Sequence, residues 1–311
     1  MLCRRQKFLS IICLGALVPI FAHADEADLV AALQNTYSAC IGIDEALADL
    51  KKMAGINTAI TGVGTGLGAG ATIVGIVKNK KDELRKDLNR KLLDLKNMSD
   101  KEFLKFLGDI SLYKEYTETL EKLEQANKQS KNLGNWRTGL LAGNTATNIA
   151  GAIIAGRNTT DGDLQNQIEN CKAAISELRR ARGRARIDGI DVGEANAIIS
   201  ACEGFETVDV SKINTRAKGA MVSSIVGATT GLSGTITSAV ANSESVRKDN
   251  VEPENKTDAD WNREKSMNNV ANVLAGASTV ASGVATVFNA TQISAIKKVA
   301  EVATKCTEVL K

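Results

Sequence analysis

The chain has 311 residues, with 39 Lys and Arg against 36 Asp and Glu, and one histidine, His23. Residues 1–24 have the pattern of a secretory signal peptide, with a basic start, an apolar stretch and Ala22-His23-Ala24 before Asp25. Without this peptide the chain has no histidine and equal numbers of basic and acidic residues. The composition therefore argues against nucleic-acid binding and excludes catalysis or metal binding through histidine.

Four stretches contain no charged residue, namely 56–77, 138–156, 219–243 and 266–296. They are rich in Gly, Ala, Ser, Thr and Val, whereas their flanks repeat leucines among charged residues with helical periodicity. Strict alternation and internal turn signals are missing, so we predict helices and not strands. After the signal peptide the sequence has one proline, Pro253, which leaves very long helices possible.

Glycines recur four residues apart in the first uncharged stretch, and on a helix this spacing forms a groove that a second helix can approach. We extend this prediction of helix packing to the other stretches. The predicted packing residues are Gly62, Gly66, Gly70, Gly139, Gly143, Gly227, Gly231 and Gly276. The segment 64–69 also fits a dinucleotide-binding pattern, but no strand or βαβ unit surrounds it, so no cofactor is predicted.

A loose internal repeat divides the chain into halves. Each half has a cysteine, an Ile-Asn-Thr motif, an uncharged stretch, a Leu-Ala-Gly motif and a second cysteine. The matching positions are Cys40 and Cys202, 56–58 and 213–215, 141–143 and 274–276, and Cys171 and Cys306. We predict an all-α fold of duplicated long antiparallel helical hairpins with Gly/Ala-rich, glycine-zipper-like seams. Four main helices would follow the N-terminal signal peptide.

The predicted domains are a signal peptide at 1–24, a first hairpin at 25–187 and a second hairpin at 188–311. The first hairpin contains a charged, coiled-coil-like extension at 78–135, where leucines form helical stripes. The segment 179–186 holds five arginines, which could contact an anionic partner. We interpret them as a solvated helix end, which basic residues favour.

Four cysteines in an exported chain are typical of two disulfides. In each hairpin the two arms are nearly equal in length, which places Cys40 level with Cys171 and Cys202 level with Cys306. The alternative pairing, Cys171 with Cys202 and Cys40 with Cys306, stays open, since all four could lie at one end of a bundle.

The uncharged stretches support two functional interpretations. Each is long enough to cross a bilayer, and Trp136 and Trp261 stand just before the two return stretches, where interfacial aromatic residues would lie. Against insertion, the Asn, Ser and Thr residues of the stretches are costly in lipid unless neighbouring helices cover them.

We therefore expect a non-enzymatic exported protein of the periplasm or cell envelope. Its hairpins would associate with membrane lipid or with other helices, as in a homo-oligomer. The alternative is a soluble periplasmic or secreted helical bundle with a structural or interaction role. The sequence predicts no catalytic, cofactor-binding or metal-binding residue, no nucleic-acid partner and no small-molecule substrate.

Overall fold

The computed structural model describes residues 24–101, 110–160 and 162–311, and within these ranges it is all-helical, without a β-strand. Its α-helices are α1 (Ala24–Cys40), α2 (Ile43–Lys101), α3 (Ile110–Arg157), α4 (Gly162–Ile187), α5 (Gly193–Cys202), α6 (Ser211–Ala241), α7 (Glu244–Arg247) and α8 (Asp258–Leu310). Short 3₁₀ helices occupy Glu203–Thr207 and Pro253–Asn255. The prediction of an all-α fold is confirmed. The predicted signal peptide lies outside the described residues, apart from Ala24.

Three helices are unusually long, because no proline interrupts them. The lengths of α2, α3 and α8 are 59, 48 and 53 residues, so α2 alone extends about 90 Å. Gly42 separates α1 from α2 with a φ of 84°, a left-handed conformation that favours glycine. Pro253 begins a 3₁₀ helix in the connection before α8.

The chain divides into two units, and unit 1 comprises the described residues up to Leu47 together with Gly162–Asp209 and Lys298–Lys311. It has an ordinary apolar core, whose buried residues include Leu29, Ile43, Leu47, Ile168, Ile175, Leu178, Ile198 and Phe205. Helix α1 packs on α4, where Thr36 Oγ1 donates a hydrogen bond to the carbonyl of Ala174 over 3.3 Å. Two disulfides, Cys40–Cys171 and Cys202–Cys306, also lie in this unit.

Unit 2 comprises Ala48–Asp161 and Val210–Lys297, of which residues 102–109 and 161 are not described. It contains the central parts of α2, α3, α6 and α8. Contacts between α2 and α3 run antiparallel, since Arg85 bonds to Asn127 over 2.6 Å and Lys91 pairs with Glu115 over 2.7 Å. Unit 2 draws on both predicted hairpins, as does unit 1, so the units do not follow the halves of the sequence.

The buried positions of α8 recur at alternating intervals of three and four residues, which is the heptad pattern of helices packed along their length. The buried residues on this stripe in unit 2 are Trp261, Glu264, Asn268, Ala271, Ala275, Ser278, Ser282, Ala285, Asn289, Gln292 and Ile296. Most of them are small or polar. The interior of unit 2 therefore differs in kind from the apolar core of unit 1.

Candidate functional site

The interior of unit 2 is built from small and polar side chains. Fully buried polar residues are contributed by all four helices, and they include Asn57, Thr61, Asn144, Asn148, Ser224, Ser238, Ser278, Ser282, Asn289 and Gln292. A short apolar layer of Ala71, Leu141 and Ala275 lies among them. Such an interior offers little hydrophobic stabilisation, so close packing and hydrogen bonding must hold the helices together.

The buried amides and hydroxyls bond to one another across the helices. Asn144 and Asn148 of α3 donate to Ser278 and Ser282 of α8, each over 2.8 Å, and Ser278 in turn donates to the carbonyl of Gly227 in α6 over 2.7 Å. Because a buried polar group without a partner is costly, this network specifies which faces of the helices meet.

Among the glycines of α2, Gly64, Gly68 and Gly75 leave the least room for a side chain. A Cβ atom on Gly68 would stand 2.5 Å from Thr279 Oγ1 and 3.2 Å from its Cα, and one on Gly75 would stand 1.9 Å from Asn272 Oδ1. These glycines are buried, on the same stripe as Ala71. At Gly68 the backbones of α2 and α8 therefore approach each other at a distance that favours glycine.

The predicted packing glycines do not all lie on buried faces. A Cβ atom on Gly62, Gly66, Gly139 or Gly276 would meet no atom within 4 Å, so these four glycines are not at close approaches between the described helices. Gly70 and Gly143 face single leucine methyl groups at 3.5 and 3.1 Å. Gly227 and Gly231 do lie in tight contacts. A Cβ atom on Gly227 would stand 2.7 Å from Asn148 Oδ1, and one on Gly231 would stand 2.7 Å from Thr145 Oγ1.

On α2 the predicted packing glycines differ from the buried glycines for a simple physical reason. Glycines occupy every second position from 62 to 70, so the sequence offers two parallel glycine faces. The prediction selected the glycines at 62, 66 and 70. The buried face is instead the one with the glycines at 64 and 68, and it continues into the heptad stripe that contains Asn57 and Lys78. Long packed helices follow a repeat of 3.5 residues, and only the second face keeps this repeat beyond the glycines.

The outer surface of the uncharged stretches is apolar. Most exposed large apolar side chains of the described residues belong to these stretches, among them Val63, Ile73, Ile153, Val222, Leu232, Ile236, Val273, Val280 and Val287. Val273 and Val280 have exposed fractions of 71% and 67%. Unit 2 thus combines an apolar exterior with a polar interior, the reverse of the usual arrangement in water.

Threonines on and near this surface satisfy their own hydroxyl groups. Thr65, Thr72 and Thr235 each donate to the carbonyl four residues earlier, over 2.8 to 3.0 Å. Thr229 and Thr286 do the same over 3.0 and 2.9 Å. These hydroxyls therefore need no water partner.

Two helical segments, Asp25–Asn97 and Asp258–Leu310, are long and apolar enough to cross a membrane by length and composition. Their most apolar windows have mean hydropathies of 1.6 and 1.5, and 28% and 33% of those windows is buried. Such low burial differs from that of a core helix in a soluble protein.

One end of the polar interior is a cluster of buried charged side chains. This charge cluster comprises Lys78, Asp82, Arg85, Arg247, Asp249, Lys256 and Glu264, none of which is more than 12% exposed. The loop between α6 and α8 supplies Arg247, Asp249 and Lys256. The cluster has four cations and three carboxylates, so positive charge is in excess.

Glu264 of α8 is at the centre of the charge cluster. Its carboxylate accepts hydrogen bonds from Arg85 Nη1 over 2.6 Å and from Lys256 Nζ over 3.2 Å, and Arg247 Nη1 is 3.7 Å away. Asp82 accepts from Lys78 over 2.6 Å and from Arg85 over 2.7 Å. The cluster therefore ties α2, α8 and the loop after α6 to one another.

Burial and ion pairing act in opposite directions on the pKa values of the cluster. Burial would raise the pKa of Asp82, but Lys78 and Arg85 outweigh it and hold that pKa below its ordinary 3.8. Burial lowers the pKa of Lys78 to about 8, against the opposing effect of Asp82. At neutral pH both partners are charged. This arrangement suits a structural clamp, because each carboxylate of the cluster pairs with a buried cation.

Arg137 of α3 is a further buried cation beside the cluster, and its hydrogen-bond partners are neutral. Its Nε donates to Ser238 over 2.8 Å, and its two terminal nitrogens donate to Asn272 Oδ1 over 3.0 Å and Asn268 Oδ1 over 2.8 Å. Asn268 also donates to Asp82 over 2.9 Å, which connects Arg137 to the cluster through one amide.

The two tryptophans lie in different environments. Trp136 is 68% exposed beside Arg137, and it lines a surface groove of about 680 Å³ together with Leu67 and Gly139. Trp261 is 6% exposed, and Lys256 Nζ lies 3.5 Å from the centre of its ring. The assignment of Trp261 to an interface is therefore wrong, because its ring forms a wall of the charge cluster.

The four predicted cysteines form two disulfides, with the pairing that equal arm lengths favoured. The Cα atoms of Cys40 and Cys171 are 4.8 Å apart, and those of Cys202 and Cys306 are 4.5 Å apart. The sulfur atoms of Cys40, Cys171 and Cys306 also lie within 4.8 Å of one another. All four cysteines thus meet in one buried region of unit 1.

Sequence reasoning missed the charge cluster. The residues that bury Glu264 and Asp82 are distant in sequence, so no local pattern brings these charges together. A signal was available, since Lys78, Asp82 and Arg85 continue the heptad stripe of the buried residues Ala71 and Gly75. Charged residues on a core stripe indicate a buried network.

Comparison with known proteins assigns no family to this arrangement. The chain matches no protein-family model, no curated protein and no solved structure.

Proposed function

We propose that the protein is a non-enzymatic exported cell-envelope protein that inserts the four uncharged helical segments of unit 2 into a membrane. The segments would pack through small-residue seams, with Gly64, Gly68, Gly75, Gly227 and Gly231 at the close approaches. Lipid would cover the apolar exterior, and the polar side chains would face one another inside.

The observation that carries this proposal is the distribution of side chains in unit 2. In water, the exposure of valines and isoleucines around all four helices would be unfavourable by about 25 cal/mol per Å² of apolar surface, whereas lipid removes that cost. The side chains of Asn144, Asn148, Ser278 and Ser282 are bonded within the bundle, which is the condition for polar groups at membrane depth, whereas the buried Ser224 hydroxyl has no hydrogen-bond partner among the described residues.

The height of the apolar band fits a bilayer. On α3 the band lies between buried Arg137 and buried Asn158, which at 1.5 Å per residue are about 31 Å apart. The hydrocarbon core of a typical bilayer is about 30 Å thick. Trp136, exposed at one edge of the band, is where an interfacial aromatic residue is expected.

Unit 1 supports placement of the protein outside the cytoplasm. Its apolar core and two disulfides are typical of a domain that folds in an oxidising compartment. We propose the periplasm or the equivalent outer side of the envelope, reached through the predicted signal peptide.

The alternative is a soluble periplasmic or secreted bundle, in which other protein helices, including those of a second copy, cover the apolar exterior. The polar character of the stretches favours this alternative, because the central stretches of α3 and α6 carry Asn144, Asn148 and several serines and threonines. The small-residue seams and the buried hydrogen-bond network are compatible with membrane insertion and with a soluble bundle.

Alkaline carbonate extraction of the exported protein tests the proposal. We expect the protein to stay with the membrane fraction. A matched variant, Val273→Glu with Val280→Glu, places two charges on the exposed apolar surface and should move the protein to the soluble fraction. Release of the unmodified protein by carbonate would favour the soluble bundle.

A further inference from the structure

A group of basic side chains lies at one edge of the apolar band of unit 2. We name it the basic collar, and it consists of Lys51, Lys52, Arg157, Lys212, Arg216, Lys218 and Lys297. All four long helices contribute to it. Six of its side chains are exposed and Arg216 is half-buried.

The contacts between the helices show that these residues are at similar height along the bundle. Asn57 bonds to Asn289 over 2.9 Å, and Asn158 bonds to Gln292 through both its amide and its carbonyl, at 3.2 and 2.7 Å. Arg216 donates to the carbonyl of Thr291. Each basic residue is within six residues of this level on its own helix, or about 9 Å.

Acidic residues are few in the stretches that form the basic collar. In the described residues 48–55, 157–160, 210–218 and 291–301 the carboxylates are those of Asp49 and Glu301, both exposed. Lys51, Lys52, Arg157, Lys212 and Lys218 form no ion pair with a described carboxylate. This edge therefore presents a strong excess of positive charge to its surroundings.

The opposite edge of the band has a different charge pattern. It carries charges of both signs: Lys248 pairs with Asp260 over 2.7 Å and Lys265 pairs with Glu83 over 3.6 Å, while the exposed Lys80, Lys128 and Lys131 form no ion pair with a described carboxylate. The arginines of 179–186 in unit 1 are also partly neutralised, with Arg184 bonded to Asp28 over 3.0 Å. The collar is thus distinguished by its scarcity of acidic residues, whereas the opposite edge carries charges of both signs.

We propose that the basic collar binds the headgroups of anionic phospholipids and so fixes which edge of the band faces an anionic membrane surface. This inference rests on the proposed membrane insertion. Phosphate is the group that clustered Lys and Arg next to a hydrocarbon-facing surface recognise, and each such residue near the surface contributes about fivefold to binding. Charge complementarity selects lipid here, because the collar borders the apolar band directly.

Flotation of the purified mature protein with vesicles tests this inference. One set of vesicles is phosphatidylcholine alone and the other contains phosphatidylglycerol. We expect association with both and a marked preference for the anionic set, which 1 M NaCl should remove. The variant Lys51→Gln, Lys52→Gln, Lys212→Gln, Lys218→Gln should reduce the preference by about 600-fold while still associating with phosphatidylcholine.

Two matched variants separate the effect of the collar's position from the effect of the protein's net charge on vesicle binding. Lys80→Gln, Lys128→Gln, Lys131→Gln, Lys265→Gln removes the same charge from exposed lysines toward the opposite edge and should keep the preference. Replacing Lys51, Lys52, Lys212 and Lys218 with arginine should also keep the preference for anionic vesicles. If the collar glutamine variant keeps the preference, or the control variant loses it equally, the inference is wrong. Association with neither vesicle would instead overturn the proposed insertion.

Discussion

Asn148 and Ser282, 134 residues apart in sequence, are hydrogen-bonded inside unit 2, with Asn148 Nδ2 donating to Ser282 Oγ over 2.8 Å. The bonds from Asn144 to Ser278 and from Asn158 to Gln292 have the same sequence separation. The Leu-Ala-Gly motifs at 141–143 and 274–276 are separated by nearly as much. Equivalent positions of the internal repeat therefore face each other, as expected when two copies of a helix pair pack about an approximate twofold axis.

Two glycines of α2 should respond in opposite directions to alanine. Gly68→Ala places a methyl group 2.5 Å from Thr279 Oγ1 and should destabilise the protein by about 1–3 kcal/mol through overpacking. Gly66→Ala meets open space and should stabilise it by about 0.5–1 kcal/mol, since alanine favours helix. Denaturant unfolding followed by circular dichroism measures both. Equal effects of the two substitutions would contradict the assigned packing face.

Glu264→Gln should be strongly destabilising. It removes the carboxylate that Arg85 and Lys256 share and leaves buried cations without compensation, at a cost of about 3–5 kcal/mol. The control is Glu83→Gln, whose carboxylate is 66% exposed and pairs with exposed Lys265. That change should alter the free energy of unfolding by less than about 1 kcal/mol. A small effect at Glu264 would show that the charge cluster is open to water.

The protein should lose stability in acid through Asp82. Its pKa in the folded state is below its ordinary 3.8, so the unfolded chain binds the proton first as pH falls. The stabilisation from this carboxylate is therefore present above about pH 4 and lost as pH falls through the folded pKa. Thermal melts between pH 7 and pH 2 should show this loss.

Asp82→Asn provides the control for the acid transition. The variant should be less stable at pH 7, because it lacks the ion pairs to Lys78 and Arg85. Its stability should also change less between pH 5 and pH 2 than that of the unmodified protein. An identical acid profile for both proteins would assign the transition to other carboxyl groups, such as Asp260, whose pKa Lys248 lowers to about 2.

Peptide mapping without reductant should find Cys40 linked to Cys171 and Cys202 linked to Cys306. Removal of either pair should destabilise the protein by about 4–5 kcal/mol, since the closed loops span 131 and 104 residues. Both cysteines of a pair must be replaced together. A lone Cys306 thiol would be within 4.8 Å of the other disulfide and could exchange with it. A Cys171–Cys202 link in the unmodified protein would contradict the assigned pairing.

The helical architecture was accessible from sequence because it depends on local properties. Uncharged stretches, leucine stripes and the scarcity of proline each favour long helices without reference to distant residues. Arm lengths favoured the observed pairing of the cysteines, because a straight helix converts residue number into distance, but they left the alternative pairing open.

The buried faces were less accessible, because they depend on partners far along the chain. Gly66 and Gly68 are equivalent in composition, and only Thr279 and Asn144 on other helices determine which of them is buried. Trp261 is adjacent to an uncharged stretch like Trp136, yet the loop that supplies Lys256 covers it. A heptad count across the glycines and into the charged segment would have found the correct stripe.

The proposal that lipid covers unit 2 is tested most directly at Val280, which is 67% exposed in the middle of the apolar stretch of α8. Val280→Trp is made in a Trp136→Phe background, with Ile187→Trp in unit 1, 85% exposed, as the matched control. In vesicles whose acyl chains carry bromine, we predict quenching of the tryptophan at 280 by the lipid, and quenching of that at 187 by aqueous iodide. Iodide quenching at 280 without bromolipid quenching would contradict membrane insertion.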